Sequence, residues 1–460
     1  MERVIRKKLV NYLETNQLIN SNQHGFRKNH SCATQLQSHT NNILSHLING
    51  NETDSIYIDY AKAFDKVDHR ILLTKLEHYG INGKYLDWIK SFLTGREQVV
   101  FVNGHFSYPT SVNSGVPQGS VLGPLFFILY INDLPNIIHK STIFTFADDT
   151  KIVKQISETN DKLDLQNDLN SVIKWSSINN MNLNNKKFQR LIHKHAAPNS
   201  SLQLLSQQPF YNTFFNYKVS DDITISPSNS VKDLGIFITS DLSWNMQINK
   251  VIKKSKQISA WILNIFYTRD RMPMLTLFNS LVRPHIEYCC EIWAPHTTKN
   301  IVAIEQIQRG FTHKIISVKH LNYWERLVEL KMLSLQRRRE RIIIITTWKI
   351  KNNITPNTIN LQFKLHRRTE SIKAVLKPMP RVTGRLLTMH EESFTIIAAK
   401  LWNTLPAYLT HINDLNSFKN GLDKYISNIP DQPPIPGYPY QTNNSLLNSS
   451  PMQNLTVTPH

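Results

Sequence analysis

Two short apolar segments of this chain run straight into carboxylates, and few folds make use of that pattern twice. Ser55-Ile56-Tyr57-Ile58 ends on Asp59, and Thr142-Ile143-Phe144-Thr145-Phe146 is followed by Ala147-Asp148-Asp149. Short runs rich in β-branched and aromatic residues read as strands. A carboxylate at such a strand end rides on a backbone already paired to its neighbours. The second segment alternates and has the form of a hairpin tip. Adjacent side chains leave a strand by opposite faces. One of Asp148 and Asp149 therefore bears directly on a site shared with Asp59, and the other reaches it from the turn.

Acids this close repel and take up protons unless cations neutralise them. Two Mg²⁺ ions about 3.5–4 Å apart meet that need and bring phosphoryl-transfer chemistry with them. Octahedral Mg²⁺ takes a few carboxylates plus phosphate oxygens, with no need of His or Cys, and Mn²⁺ can substitute. Taken singly, an Asp-Asp after an apolar strand is more often a plain turn. A third signal lies between the acids: Ser114-Gly115-Val116-Pro117-Gln118-Gly119-Ser120-Val121-Leu122-Gly123-Pro124 is a Gly/Pro loop opening a helix that runs to about Leu134. Glycines let a backbone approach a ligand closely, and a helix N-terminus favours phosphate. A structural turn before a buried helix is the plain alternative.

Lys and Arg number 53 against 34 Asp and Glu, a net charge of +19. A field of that size points to nucleic acid or an anionic membrane surface, or to a merely basic soluble protein. Hydrophobic residues at 40% exclude a disordered chain, and 460 residues suggest two to four domains. Cys32, Cys289 and Cys290 are too few for a disulfide framework or a zinc site and fit a reducing compartment. The N-terminus reads as a basic amphipathic helix without a signal sequence, and the longest apolar run, Leu125–Ile131, is far short of a membrane span. The expectation is an intracellular protein of nucleus or cytoplasm with no membrane partner.

Residues 1–50 read as mainly helical with a break at His24-Gly25. From 54 to 150, strands and helices alternate in an α+β pattern. Residues 191–230 are polar and irregular, and 244–425 are helical almost throughout, with Leu277 and Leu281, then Ile301, Ile304 and Ile307, at helical spacings. The tail from 429, with prolines at 430, 433, 434, 436, 439, 451 and 459, is expected to be disordered. The run Arg337-Arg338-Arg339-Glu340-Arg341 reads either as a solvated helix face or as a phosphate-tracking stripe.

Asp59-x₄-Phe64-Asp65, the ten residues 115–124, and Phe146-Ala147-Asp148-Asp149, in that order, resemble the palm of reverse transcriptases of jockey-like non-LTR retrotransposons. The likeness extends over about residues 1–425. Gln23-His24-Gly25-Phe26-Arg27 resembles a fingers block, Leu183-Asn184-Asn185-Lys186-Lys187 the block after the palm acids, and Asp233-Leu234-Gly235-Ile236 a primer-grip turn. Leu281–Tyr288 and Ile292–Pro295 are similar to thumb wording, and Ala399–Pro406 to a later block of such proteins.

The resemblance implies an α+β right-hand polymerase fold: partial fingers over 1–50, palm over 51–240, helical thumb over 241–320 and a helical C-terminal region over 321–428. It implies an RNA-directed DNA polymerase that joins dNTPs to a primer 3′-hydroxyl on template RNA, with primer or target DNA as partner. Asp59, Asp148 and Asp149 become the metal-binding acids, with the Tyr60 carbonyl as a backbone ligand. Phe64 becomes the gate against a ribonucleotide 2′-hydroxyl, and Pro117, Gln118 and Gly119 line the nucleotide. Arg27 becomes a nucleotide or template contact, Lys187 a proton donor or charge neutraliser at the pyrophosphate, and Leu234-Gly235 the primer grip. Phe64 reads equally as a core aromatic, Trp244 and Trp402 as core packing, and Lys186-Lys187 as a solvated turn pair.

The family's upstream endonuclease and the first basic fingers block have no counterpart before Met1, so the chain is expected to be truncated within the fingers. No Cys/His knuckle and no ribonuclease H signature is present. Two further readings follow: a catalytically inactive nucleic-acid-binding remnant, and a splicing cofactor of the intron-maturase kind.

Overall fold

The strand that leads into Asp59 sits in the middle of a sheet, which explains why its polar residues are buried as well as its apolar ones. The computed structural model describes residues 1–194, 215–436 and 444–448. The chain divides into two compact units, Met1–Gln35 with Ser45–Leu234, and Leu36–Leu44 with Gly235–His460.

The first unit opens with α1 (Glu2–Thr15) and the ends of α2 (Cys32–Ile48). Helix α2 starts at a capping box in which Ser31 and Thr34 bond each other's backbone amides. Then come β1 (Glu52–Ile58), α3 (His69–His78), α4 (Lys84–Leu93), α5 (Gly123–Ile131), β2 (Thr142–Phe146), β3 (Asp149–Ile156), α6 (Thr159–Ile178), β4 (Gln189–His193) and β5 (Pro227–Ser228). The order in the sheet is β5-β4-β1-β3-β2, antiparallel except for the parallel β5–β4 pair.

Helix α5 is Gly-Pro-Leu-Phe-Phe-Ile-Leu-Tyr-Ile and is buried all round, as expected of a short helix with no polar face. It lies in one core with Ile56 and Ile58 of β1, Leu72 and Leu76 of α3, and Leu165 and Leu169 of α6. In β1, Asp54 is also buried. Its carboxylate accepts from Arg190 at 2.7 Å and from the Tyr217 hydroxyl at 2.8 Å, and a charge removed from water needs such partners.

The second unit is largely helical: α7 (Asn245–Ile265), α8 (Thr298–Thr312), α9 (Tyr323–Glu329), α10 (Leu335–Lys351), α11 (Phe394–Asn403) and α12 (Leu415–Ser427). Both the stretch expected to be thumb and the C-terminal helical region fall in this unit. Trp348, Phe418 and Trp402 stack in its core, with ring centroids 5.4 and 6.0 Å apart. Trp402 is thus core packing, and Trp244 is the N-cap of α7.

Three expectations change here. The helical run is broken by a hairpin, β6 (Phe363–His366) with β7 (Ser371–Ala374). Its apolar Phe363, Leu365, Ile372 and Ala374 alternate with Lys and His, a period of two that the basic residues obscure. The arginine run on α10 is neither a solvated face nor a free stripe. Arg337 and Arg339 are buried, Arg338 pairs with Glu287, and Arg341 with Asp423.

The tail expected to be disordered packs wherever it is described. Arg337 donates to the carbonyls of Pro430 and Asn444, the Asp431 carboxylate accepts from the Ser334 amide, and Leu446 is buried. Proline removes donors without preventing such side-chain anchoring. Residues 437–443 and 449–460 lie outside the described residues.

Candidate active site

Strand register brings the acids together. Ile58 lies opposite Thr150 and Phe146 opposite Asp149, so Asp59 emerges from β1 beside the β2–β3 turn that carries Asp148 and Asp149. Ala147 closes that turn at φ +53°, a left-handed conformation unusual for any residue but glycine. Asp59, Asp149, Lys187 and Leu234 line one cavity of about 100 Å³.

The electrostatics match an unfilled demand for cations. Desolvation, then the Asp59 charge, raises Asp148 above the usual carboxylate range. Asp149 is pushed up to about 6 by desolvation, then by Asp148 and Asp233, against the lowering effect of Lys151. Asp59 Oδ2 is buried without a hydrogen-bond partner, and the Lys187 ammonium stands 3.4 Å from it. Among the described residues no three His, Cys, Asp or Glu side chains form a ready metal cage. That suits Mg²⁺, which is held by one or two carboxylates plus substrate phosphates and rarely by protein alone. The donor set fits such an ion.

Lys187 ends a short turn, Asn185–Lys187, whose Lys187 amide donates to Asn184. Asn184 in turn donates to the Asp59 carbonyl at 2.8 Å, which fixes the block after the palm acids onto the end of β1. The structure therefore brings Lys187 to the acids. The Tyr60 phenol is buried in the core, which leaves the backbone as the part of Tyr60 that can serve the site.

The Gly/Pro loop is fastened to the Phe64-Asp65 segment. Val116 N donates to Phe64 O, Gly115 N to Val67 O, the Ser114 hydroxyl to Asp65 O, and Gln118 Nε2 to Asp65 Oδ1 at 2.9 Å. Gly115 stands at φ +86°, and a Cβ there would come within 2.9 Å of the Asp65 backbone. Asp65, given no role in the sequence, thus aims Gln118. Phe64 is part core aromatic, stacked on Phe127 at 4.2 Å, and part open. Gly119 has open space around it, and the Pro117 carbonyl accepts the Ser120 hydroxyl. The helix N-terminus expected to favour phosphate is already satisfied: the Glu2 carboxylate accepts from Val121 N and Leu122 N at 2.8 and 3.1 Å.

Arg27 departs from its expected role. Its guanidinium makes a bidentate pair with Glu14 at 3.2 and 3.0 Å and reaches the Asn20 and Gln23 carbonyls, and its side chain is 10% exposed. A nucleotide contact by Arg27 would have to break that pair. Its block does serve the site through Gln23. Gln23 Oε1 accepts from Ala147 N at 2.9 Å and Gly25 N at 2.7 Å, while Nε2 reaches Ala147 O. His24 N donates to Thr145 O, and a Cβ on Gly25 would lie 2.3 Å from Ala147 N. The block is a brace behind the turn that carries Asp148 and Asp149.

Leu234 and Gly235 have φ of +44° and +85°. For a bulky residue such as Leu234 this is a strained conformation of the kind kept at working sites. One feature had no mark in the sequence: Lys151 is buried in an ion pair with Asp233 and donates to Gln35 at 3.1 Å. Its partners are 82 and 116 residues away in the chain, beyond any local pattern.

The reverse transcriptase (RNA-dependent DNA polymerase) family matches residues 1–238. That is more than half of the chain, and the chain belongs to this family. The probable RNA-directed DNA polymerase from transposon X-element of Drosophila melanogaster is 26% identical over 315 residues, 67% of this chain and 33% of that protein. The RNA-directed DNA polymerase from mobile element jockey of Drosophila melanogaster is 32% identical over 195 residues, 41% of this chain and 21% of that protein. The chain thus spans about a third of the length of the first of these relatives. Among solved structures, a telomerase from Candida tropicalis in complex with a TWJ fragment of telomeric RNA aligns over 91% of this chain and 56% of that one, at TM-score 0.40 and 11% identity. The resemblance to jockey-like reverse transcriptases holds, and the fold is the α+β right-hand polymerase fold.

Proposed function

We propose that this chain is an RNA-directed DNA polymerase of a non-LTR retrotransposon, extending a DNA 3′ end with dNTPs on template RNA. The observation that carries this reading is the convergence of Asp59 with Asp148 and Asp149 at adjacent strand ends, where burial and then neighbouring carboxylate charge raise the pKa values of Asp148 and Asp149. The three carboxylates and the Tyr60 carbonyl would hold Mg²⁺ ions, or Mn²⁺ in their place, which when bound would supply Lewis acidity at the reacting phosphate.

The protein's own groups do the rest. Lys187, already beside Asp59, neutralises charge near the pyrophosphate or donates the proton it needs. Phe64 excludes a 2′-hydroxyl by volume, with no hydrogen bond to offer it. Gln118, aimed by Asp65, lines the nucleotide together with Pro117 and Gly119. The Leu234-Gly235 turn supports the primer end.

Primer extension on an RNA template with Mg²⁺ is the test. Wild-type protein is expected to extend the primer, and Asp148→Ala with Asp149→Ala to leave it unextended. Equal activity of the two proteins would refute the assignment.

A further inference from the structure

We propose that a cleft in the second unit, between α8, the 313–322 connection and α9, grips the phosphodiester backbone of nucleic acid. The cleft measures about 590 Å³, and Arg309, His313, Lys314, Lys319, His320 and Arg326 line it without one carboxylate among the lining residues. The proposal leans on the polymerase reading only for what the natural ligand is. The grip itself does not need the aspartates.

Three features set this cleft apart from an ordinary basic surface. The first is Arg326, which is only 4% exposed yet pairs with no acid among the described residues. Its guanidinium donates to Thr312 Oγ1 at 3.3 Å, Leu321 O at 2.7 Å and Arg309 O at 3.3 Å, all neutral acceptors. A buried cation with hydrogen bonds but no countercharge is poised for an anion.

The second is that the nearby carboxylates are committed elsewhere. Glu305 accepts from the Tyr323 hydroxyl and the Leu335 amide, and Glu325 from the Asn322 amide. Arg309 meets Gln306 at 3.1 Å rather than an acid.

The third is Gly310, inside α8, where a Cβ would have nothing within 4 Å. Glycine within a helix costs about 1 kcal/mol relative to alanine, and here it leaves the cleft wall bare for close approach.

Four Lys and Arg side chains and two imidazoles over a cleft of this size exceed what one phosphate needs and suit a chain of them. In the arginine run on α10, the obvious alternative from sequence, Arg338 pairs with Glu287, Arg341 with Asp423, Arg337 reaches the carbonyls of the tail, and Arg339 is buried.

The test is fluorescence anisotropy of the full chain with labelled single-stranded RNA and, separately, duplex DNA, over a range of salt. The variant Arg309→Gln/Lys314→Gln/Lys319→Gln changes side chains that are not part of the core. It is expected to weaken binding at least about tenfold and to lower the log–log salt slope by roughly 2–3. The arm with the larger loss identifies RNA or DNA as the ligand. Gly310→Glu, which adds a carboxylate to open space on a helix, is expected to weaken binding in the same arm with the melting temperature level or slightly raised.

A control, Lys364→Gln/Arg367→Gln/Arg368→Gln, removes as much charge from the exposed hairpin. Equal loss in that control, an unchanged slope in the cleft variants, or sensitivity to them only with inorganic polyphosphate would overturn the proposal. Protein with Asp148→Ala and Asp149→Ala is expected to keep the cleft-dependent binding, so polymerisation and grip fail separately.

Discussion

The chain carries two clusters of like charge that look comparable in sequence and end in opposite circumstances. Asp59, Asp148 and Asp149 sit at strand ends, where register makes them converge and nothing in the protein neutralises them fully. Arg337 to Arg341 lie inside a helix, where each step turns the side chain by about 100°, so neighbours face different surroundings. Each arginine finds its own acceptor or burial site. Like charges gathered at strand ends are left facing one another, whereas like charges along a continuing helix are dispersed among separate partners.

The largest effect that would break this contrast is at the acids. Asp148→Asn or Asp149→Asn should reduce extension by about 10³-fold or more, some 4 kcal/mol of barrier, while leaving the melting temperature level or slightly raised. A large loss of stability instead would make the acids scaffold too. Next in size, Arg337→Ala should lower unfolding free energy in urea by about 3 kcal/mol, since it strips a buried cation's network and the tail's anchor. Arg367→Ala on the exposed hairpin should stay within about 0.5 kcal/mol.

Smaller still is the brace. Gln23→Ala leaves two buried amides without an acceptor and should cost about 1–3 kcal/mol. Turnover should fall with the dNTP KM little changed, because the turn is displaced and the nucleotide loop is not. Gln23→Glu, which keeps the accepting oxygen, should recover part of the loss.

The pH effect is the smallest. His24 is buried, and desolvation, then the charges of His30, Arg27 and Lys151, push it down to about 3. Its folded pKa lies below the unfolded value, so its contribution is complete above about pH 6.5 and shrinks as pH falls towards 3. Urea unfolding at pH 7.5 and 5.5 should differ by about 1.4 kcal/mol more in wild type than in His24→Gln. An identical pH dependence in both proteins would remove His24 from the account.

Much of the palm was legible because its signals are local. β1, the β2–β3 turn and the helix after Gly123 each announce themselves within ten residues, as an apolar run that stops at acids or starts at Pro. Lys187 was legible only through its family block. What stayed hidden depends on partners far along the chain: Gln23 with Ala147, Gln118 with Asp65, Lys151 with Asp233, and Glu2 with the start of α5. The pairing of Arg27 was hidden for a related reason. A guanidinium's role is set by which carboxylate reaches it first, and Glu14 lies on the preceding helix. The arginine run and the proline-rich tail misled together, since each is what holds the other in place.

The contact between Gly25 and Ala147 has a consequence for heredity. With 2.3 Å between a would-be Cβ and a main-chain nitrogen, almost any missense change at codon 25 dislodges the turn that bears Asp148. Codon 147 tolerates little more, because its residue must sit at positive φ. On the proposed reading the element is copied by the enzyme it encodes, and a replication error at either codon would silence the lineage that made it. Surviving copies would share this pair even where the surrounding text has drifted.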